Sequence, residues 1–320
     1  MQSASNPKRF QVILAFTLVY ILWGSTYLAI QISVEHLTPL LMGGTRFTTA
    51  GLIMLAVRAM GGNRILVPRR ELLRLAVIGV LLLTIANVMM GWAETYISTS
   101  LAALLIAVTP LWFLILERLS HSTDRLSRRG MLGIALGVAG VAILLWPDIS
   151  GHTKFGMRQL FGSLLVLCSS FSWASGSVLT RRWHMPIDPF TASGWQMLFG
   201  GTICMVLALL AGDLHRATWA ASSVWAIVYL IVAGSLVGYT AYVWLLKNVP
   251  IAKVATYAYV NPIIALILGV VFHGEHFDGY MAAGAVVVIV SVILVTGAKV
   301  QRPEQEAPAV ELEPVEPSAD

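Results

Sequence analysis

The sequence predicts an all-α integral membrane protein with ten transmembrane helices, arranged as two inverted five-helix repeats. Three observations predict this fold: the composition, the length of the apolar runs and an internal repeat. The chain has 320 residues, of which 57% are hydrophobic and 12% are charged. Soluble domains carry about 25% charged residues, so this composition excludes a soluble enzyme and a disordered chain. Two cysteines in apolar runs exclude a disulfide scaffold.

The apolar runs have the length of membrane spans, because a helix needs about 20 mainly apolar residues to cross the hydrocarbon. Ten such runs follow one another with short connections, at residues 10–32, 38–60, 72–94, 98–117, 128–146, 159–181, 190–211, 223–246, 252–273 and 279–298. The first run follows Lys8 and Arg9 but is longer than the apolar part of a typical signal peptide. We therefore expect it to be retained as the first helix.

The basic residues predict the orientation through the positive-inside rule. With the N-terminus inside, 17 of the 21 basic residues fall on the inner side, 3 fall outside, and Arg46 lies within a span. This split predicts a multi-pass protein of the cell inner (or plasma) membrane with both termini in the cytoplasm. Residues 303–320 contain six acids, four prolines and no base, which is typical of a disordered acidic cytoplasmic tail.

The chain repeats itself at an offset of 150 to 152 residues. Tryptophan, proline and glycine recur at matching positions: Trp23 with Trp173, Pro39 with Pro189, Gly44 with Gly194, Gly51 with Gly201, and Pro110 with Pro262. The repeats are predicted at residues 10–146 and 159–298. Because five helices are an odd number, the second copy enters the membrane from the opposite side. Inverted repeats of this kind are common in secondary transporters, whose binding site lies between the halves.

Several segments also resemble a known family. They are Asn248-Val249, the run from Tyr257 to Pro262, Trp173-Ala174-Ser175-Gly176-Ser177, and Gln196-Met197-Leu198. Two tandem units carrying them resemble the EamA repeat of the drug/metabolite transporter superfamily, and within it the YedA-type permeases. The resemblance implies a central cavity between the halves and export of amino acids, other small metabolites or drugs. A nucleotide-sugar or phosphate-ester carrier of the same fold is the alternative within transport.

The charged residues bear on energy coupling and cofactors. No G-x-x-x-x-G-K-[ST] run is present, so we expect no ATP site of this kind and no other cofactor. Glu94 and Glu117 are the acids within predicted spans, and both lie near span ends. This favours a neutral or zwitterionic substrate, or uncoupled efflux, over proton coupling through a deep carboxylate. The cluster His273, Glu275, His276 and Asp278 lacks metal-site spacing, so no metal is expected and Asp278 is expected to cap the last helix.

The candidate substrate-binding residues are polar or aromatic and lie within predicted spans: Trp23, Asn87, Trp173, Tyr239, Tyr257 and Asn261. The alternatives are helix packing for the two tryptophans and an interhelical polar lock for Tyr257 and Asn261. Arg46 and Glu94 are predicted to set the charge at the outer mouth, either by attracting a substrate carboxylate or as a structural pair. Pro110 and Pro262 are candidate hinges, or they simply bend their helices.

The remaining expectations concern partners and rival functions. We expect a small-molecule substrate and the lipid bilayer as partners, and no nucleic acid, because the basic charge is too sparse. Gly133 and Gly137 form a G-x-x-x-G face that either joins a homodimer or packs within a monomer. A membrane-embedded enzyme is disfavoured because no paired carboxylates or Ser/His constellation lies at mid-depth, so we expect a transporter rather than an enzyme.

Overall fold

The computed structural model describes residues 9–120, 128–149, 156–274 and 278–296, and these parts of the chain are helical with short connections and contain no strand. The helices are α1 Arg9–Val34, α2 Pro39–Met60, α3 Arg69–Ala93, α4 Thr99–Ile106, α5 Thr109–Ser120, α6 Arg128–Ile149, α7 Gly156–Arg182, α8 Pro189–Leu210, α9 Asp213–Arg216, α10 Ala221–Asn248, α11 Ile251–Val254, α12 Tyr257–His273 and α13 Gly279–Thr296. The predicted tail at 303–320 and residues 275–277 of the predicted acidic and histidine cluster lie outside the described residues.

Six of these helices are long and apolar enough to cross a membrane: α1, α2, α3, α7, α8 and α10. Two other predicted spans are divided. The run 98–117 breaks between α4 and α5, where the Thr109 hydroxyl donates to the Ile106 carbonyl at 2.5 Å. The run 252–273 breaks between α11 and α12, where the Thr256 hydroxyl donates to the Lys253 carbonyl at 2.6 Å. Apolar composition predicted both runs, but these hydroxyls end a helical segment by satisfying carbonyls locally.

The helix starts follow from local capping chemistry. Pro39 and Pro189 begin α2 and α8, where a missing N–H costs nothing and the fixed φ angle suits the first turn. The preceding Thr38 accepts a hydrogen bond from the Leu41 amide at 3.3 Å. Asp278 caps α13 as expected, since it accepts from the Met281 amide at 2.8 Å. Short polar residues thus fix where the apolar helices begin.

Helices α2 and α8 cross at very close range because glycines remove the side chains between them. Gly44 lies against Met205, and Gly194 lies against Leu55. The two contacts are equivalent in the repeats, because at the offset of 150 residues Gly44 corresponds to Gly194 and Leu55 corresponds to Met205. Such an exchange of contacts is what a two-fold axis between the helices requires, and it makes the two helices antiparallel.

The pair α6 and α13 repeats this relationship. A Cβ atom on Gly137 would lie 2.8 Å from Ser291 Oγ, and a Cβ atom on Gly140 would lie 2.7 Å from a methyl carbon of Val288. The Ser291 hydroxyl also donates to the Gly133 carbonyl at 2.6 Å. The predicted glycine face of α6 therefore packs against α13 within the chain.

The outer surface of the bundle is apolar. In the most apolar window of each long helix, 44% to 56% of the residues are buried inside the protein. Large apolar side chains cover much of the remainder, and Met60, Leu210 and Trp225 are more than two thirds exposed. Soluble monomers rarely expose such a continuous apolar surface, so the bundle is suited to lipid.

Candidate functional site

A central cavity lies among α1, α2, α3, α4, α7, α10 and α12, and its space free of protein atoms, together with the open solvent at its mouth, is about 660 Å³. All six predicted binding residues line it, and Arg46 lines it as well. Sequence reasoning therefore identified side chains that come together from both halves of the chain. The other lining residues are Thr26, Tyr27, Ile30, Phe47, Leu83, Ala86, Met90, Ile106, Ser169 and Gly234.

One end of the cavity is an aromatic cluster centred on Trp23. Its ring centroid lies 4.8 Å from that of Tyr242, 5.3 Å from that of Trp173 and 5.6 Å from that of Tyr257. The contacts with Trp173 and Tyr257 are edge-to-face, the arrangement that aromatic quadrupoles favour. Because Trp23 and Trp173 are equivalent in the two repeats, their contact lies at the centre of the internal symmetry.

Both indoles have a hydrogen-bond partner, as a tryptophan away from the membrane surface requires. Trp23 Nε1 donates to the Gly234 carbonyl at 3.1 Å, and Trp173 Nε1 donates to the Tyr242 hydroxyl at 3.1 Å. The Tyr242 hydroxyl also lies 2.7 Å from Ser177 Oγ. The tryptophans thus pack helices together and line the cavity at once, so the two alternatives from the sequence are not exclusive.

Helices α3 and α10 each contain a π-helical segment that the sequence analysis did not foresee, at Val80–Ile85 and Leu230–Tyr239. The two segments overlap in the repeats, since Val80 corresponds to Val232 at the offset of 152 that pairs Asn87 with Tyr239. A π turn disturbs the regular hydrogen-bond ladder and is frequently found at functional sites. Side chains use the carbonyls here: Asn87 Nδ2 donates to Leu82 at 2.7 Å, and Ser172 Oγ donates to Leu81 at 2.8 Å.

The polar residues of the two halves are engaged differently. The buried Tyr239 hydroxyl donates to Gln196 Oε1 at 2.7 Å. The repeat equivalents of this pair are Asn87 and Arg46. Asn87 instead donates to its own helix, and Arg46 donates from Nε to the Ser235 hydroxyl at 2.9 Å. Equivalent positions therefore make unequal contacts, and the protein departs from its internal symmetry at the cavity.

Tyr257 and Asn261 share one face of α12, and both side chains are buried at the cavity. With its amide oriented to satisfy its surroundings, Asn261 Nδ2 donates to the Tyr257 carbonyl at 3.3 Å and to the Tyr20 carbonyl at 3.1 Å. The Tyr20 hydroxyl lies 2.5 Å from the Thr256 hydroxyl. Asn261 thus ties α12 to α1 and also contributes to the cavity wall.

Arg46 is buried, with 5% of its surface exposed, although it carries a charge within an apolar helix. Its guanidinium carbon lies 4.5 Å from the centre of the Phe47 ring. Nη1 is buried and has no hydrogen-bond partner among the residues that the structure describes. Arg46 Nε donates to the Ser235 hydroxyl, and the pairing of Arg46 with Glu94 stays a prediction. Glu94 is buried where α3 ends and does not line the cavity in the described part of the chain.

The two prolines are placed unequally. Pro110 is buried in the first turn of α5, directly after the break that separates α4 from α5. Pro262 lies inside the continuous helix α12, and the corresponding break comes earlier, at residues 255–256. Their role as hinges stays a prediction.

Sequence reasoning missed several residues at the cavity, including Thr26, Tyr27 and Ser169, and also Ser235, which binds Arg46. Polar side chains at mid-span were the available signal. Hydroxyls are common in membrane helices, where they bond to the preceding turn, so they give weak evidence on their own. Thr26 does so here, since its hydroxyl donates to the Trp23 carbonyl at 2.8 Å.

The sequence and the fold of this chain are similar to those of known proteins. The sequence profile of the EamA-like transporter family matches residues 10–146 and 160–297. The protein "Uncharacterized inner membrane transporter YedA" of Escherichia coli (strain K12) is 37% identical over 280 residues, which are 87% of this chain and 88% of that protein. "Protein PecM" of Dickeya dadantii (strain 3937) is 27% identical over 278 residues, covering 85% of this chain and 88% of that protein.

A crystal structure of a protein 19% identical in sequence has the same fold, with a TM-score of 0.67. The match covers 90% of this chain and 97% of that one. The family profile matches both repeats, and YedA is similar along most of the chain. Both findings agree with the apolar helices and with the glycine contacts that recur in the two repeats. The chain belongs to the EamA-like transporter family of membrane proteins.

Proposed function

We propose that this protein is a secondary transporter that exports small amphiphilic metabolites by alternating access, with amino acids or related compounds as the leading substrate class. The observation that carries the proposal is the central cavity. Aromatic faces and hydrogen-bonding groups from both repeats converge on it, which is the usual character of a small-molecule site. The relative YedA, which is named as an inner membrane transporter, supports the same conclusion.

The proposed architecture has ten crossings in two inverted repeats. In it, α4 with α5 and α11 with α12 each form one interrupted crossing. The exchange of contacts between α2 and α8 supports the inversion, because the antiparallel arrangement places the two-fold axis perpendicular to the helices. The 17 to 3 distribution of basic residues supports cytoplasmic termini.

In this orientation Trp23 is the lining residue of α1 nearest the cytoplasm, and Ile30 and Met90 lie toward the outer ends of their helices. In the proposed mechanism, the aromatic cluster around Trp23 forms the cytoplasmic gate of the cavity. The unequal contacts of the repeats support a switching mechanism. Tilting one half against the other would release Tyr239 from Gln196 and bring Asn87 and Arg46, their equivalents, into the corresponding arrangement.

Counterflow in proteoliposomes tests the proposal. Vesicles loaded with an unlabelled compound are diluted into its labelled form, across a panel of amino acids, sugars and cationic dyes. A carrier accumulates the label transiently, because the exchange is coupled through one alternating site. No accumulation of any member of the panel would argue against a carrier of these substrate classes.

A matched pair of variants shows whether the flux passes through the cavity. Gly234→Leu would place a side chain against Arg46 and Thr26, since a Cβ atom added there would lie 2.7 Å from Arg46 Nη2. Gly279→Leu makes the same change where, among the described residues, a Cβ atom would have no neighbour within 4 Å beyond the adjacent residues and its own helix backbone. We expect the first variant to abolish counterflow and the second to retain it.

A further inference from the structure

The charge of the substrate is left open by the proposed function, and the surroundings of Arg46 bear on it. We infer that the cavity contains a carboxylate subsite at Arg46, so that the preferred substrate is a monoanionic amphiphile, such as an arylalkanoic acid. This inference rests on the proposed function, because it names the substrate class of the same cavity. The inference predicts that the cavity binds a substrate with a net negative charge more tightly than a zwitterionic, neutral or cationic analogue.

The first support is an unused donor at a buried charge. Arg46 has 5% of its surface exposed and lines the cavity, and its buried Nη1 lacks a partner among the described residues. A buried guanidinium with an unsatisfied donor is costly, and an oxyanion removes that cost by accepting its hydrogen bonds. Guanidinium groups match the geometry of carboxylates, which they bind through two parallel N–H bonds.

The second support is that the guanidinium is held in place before any ligand arrives. Nε donates to the Ser235 hydroxyl at 2.9 Å, and the guanidinium carbon lies 4.5 Å from the centre of the Phe47 ring. Gly234 leaves room for Nη2, because a Cβ atom at that position would lie 2.7 Å away. Groups fixed in this way lose little conformational entropy when a ligand binds.

The third support is the charge balance of the cavity. No aspartate or glutamate lines it among the residues that the structure describes, so a substrate ammonium would find no carboxylate there. The repeat equivalent of Arg46 is the neutral Gln196, whose oxygen is already bonded to Tyr239. In the inferred complex, Arg46 therefore binds the single carboxylate of the substrate, and Trp23 and Trp173 contact the apolar remainder of the substrate.

Four probes of nearly equal shape separate these charge states: 3-phenylpropanoate, phenylalanine, 3-phenylpropanamide and 2-phenylethylamine. Binding to the purified full chain is measured by ligand-dependent thermal unfolding and by equilibrium dialysis. Uptake of each labelled probe is measured in proteoliposomes, with protein-free vesicles as the blank. A phosphate monoester, 2-phenylethyl phosphate, distinguishes a carboxylate subsite from a general phosphate site.

The variants are Arg46→Gln, Arg46→Lys and Arg64→Gln. Arg46→Gln reproduces the residue of the other repeat and removes the charge. Arg46→Lys keeps the charge but loses the planar fork. Arg64→Gln makes the same chemical change at an exposed residue between α2 and α3, and it controls for net charge.

We expect wild type and Arg64→Gln to bind 3-phenylpropanoate at least tenfold more tightly than 3-phenylpropanamide or 2-phenylethylamine. The affinity for phenylalanine should lie between that for 3-phenylpropanoate and those for the amide and the amine. Arg46→Gln should weaken carboxylate binding by about tenfold or more and change amide binding by less than about twofold, as expected for loss of a hydrogen bond to a charged group. Arg46→Lys should restore part of the preference.

The failures of the two proposals differ. Uptake without preference for the anion, or a preference that survives in Arg46→Gln, overturns the subsite and leaves the carrier. Carboxylate binding that depends on Arg46, without uptake of any probe, overturns the carrier and leaves the subsite. Failure of the wild type to bind 3-phenylpropanoate, or tighter binding of the phosphate monoester, overturns the assignment to carboxylates.

Discussion

Gly51 of α2 lies so close to Leu198 of α8 that a Cβ atom on the glycine would be 2.5 Å from the leucine nitrogen. The equivalent contact joins Gly201 to the backbone of Thr48, which corresponds to Leu198 at the offset of 150. Two backbones that touch at two related places form a rigid crossing. This crossing positions Arg46 and Gln196, which lie two residues from Thr48 and Leu198 on the same helices.

The crossing should not tolerate side chains. Gly51→Leu and Gly201→Leu should each lower the melting temperature of the purified protein by several degrees, because overpacking a tight interface costs about 1 to 3 kcal/mol. Gly279→Leu, at an open position of α13, should leave it nearly unchanged. Thermal unfolding in one detergent measures all three, and equal melting temperatures would contradict the packing described.

Asn261 should contribute to substrate affinity. Asn261→Ala removes an amide that lines the cavity and bonds to the carbonyls of Tyr257 and Tyr20. We expect the half-saturation concentration for uptake to rise about fivefold, the usual effect of a lost hydrogen bond of about 1 kcal/mol. Asn248→Ala, at an exposed amide bonded within α10, is the matched control. An unchanged half-saturation value, with normal amounts of protein in the membrane, would remove Asn261 from the site.

A pH gradient should have little effect on carrier-mediated flux, since no carboxylate lines the cavity among the described residues. Initial uptake is compared with and without an imposed gradient, after subtraction of the flux into protein-free vesicles. We expect a change of less than twofold. A strong dependence would point to Glu94, the buried carboxylate where α3 ends, and Glu94→Gln would then abolish it.

Asp188 should stabilise the start of α8 in a pH-dependent way. Partial burial alone would raise the pKa of this carboxyl, but hydrogen bonds from Thr191 and Phe190 and the charge of Arg58 together lower it below the ordinary value of 3.8. A lowered pKa means that the stabilisation is present above about pH 4 and is lost as the pH falls through the folded-state pKa.

Two substitutions of Asp188 separate its contributions. Asp188→Ala should cost about 1 kcal/mol near neutral pH through loss of the helix cap. Asp188→Asn keeps a capping oxygen but loses the 3.2 Å ion pair with Arg58, so it should cost less and be insensitive to pH. Thermal unfolding between pH 3 and 7 measures both. A wild-type stability that did not fall toward the acid end would contradict the lowered pKa.

The proposed orientation can be tested with single cysteines in a background that carries Cys168→Ser and Cys204→Ser. Arg216→Cys, exposed at the last residue of α9, should react with an impermeant maleimide applied to intact cells. Arg64→Cys, between α2 and α3, should react after the membrane is opened. The reverse pattern would overturn the orientation deduced from the basic residues.

The sequence by itself determined the membrane class, the repeat and seven of the seventeen residues that line the cavity. These features depend on composition and on periodic positions: apolar runs must face lipid, and repeated glycines, prolines and tryptophans must occupy equivalent places. Trp23 and Trp173 could be paired from their offset alone, and they do lie in contact. Asp278 was recognisable as a cap because capping is local.

The tertiary structure decided what depends on distance between helices. It paired Arg46 with Ser235 across 189 residues, a contact that no local pattern encodes. It also placed the breaks and π segments, which depend on whether backbone carbonyls find donors on neighbouring helices, as Gly234 finds Trp23. Equivalent positions of the two repeats also have different partners: Tyr239 binds Gln196, whereas Asn87 binds its own helix. The two halves surround one cavity in a single conformation, and in that conformation their polar groups are satisfied unequally.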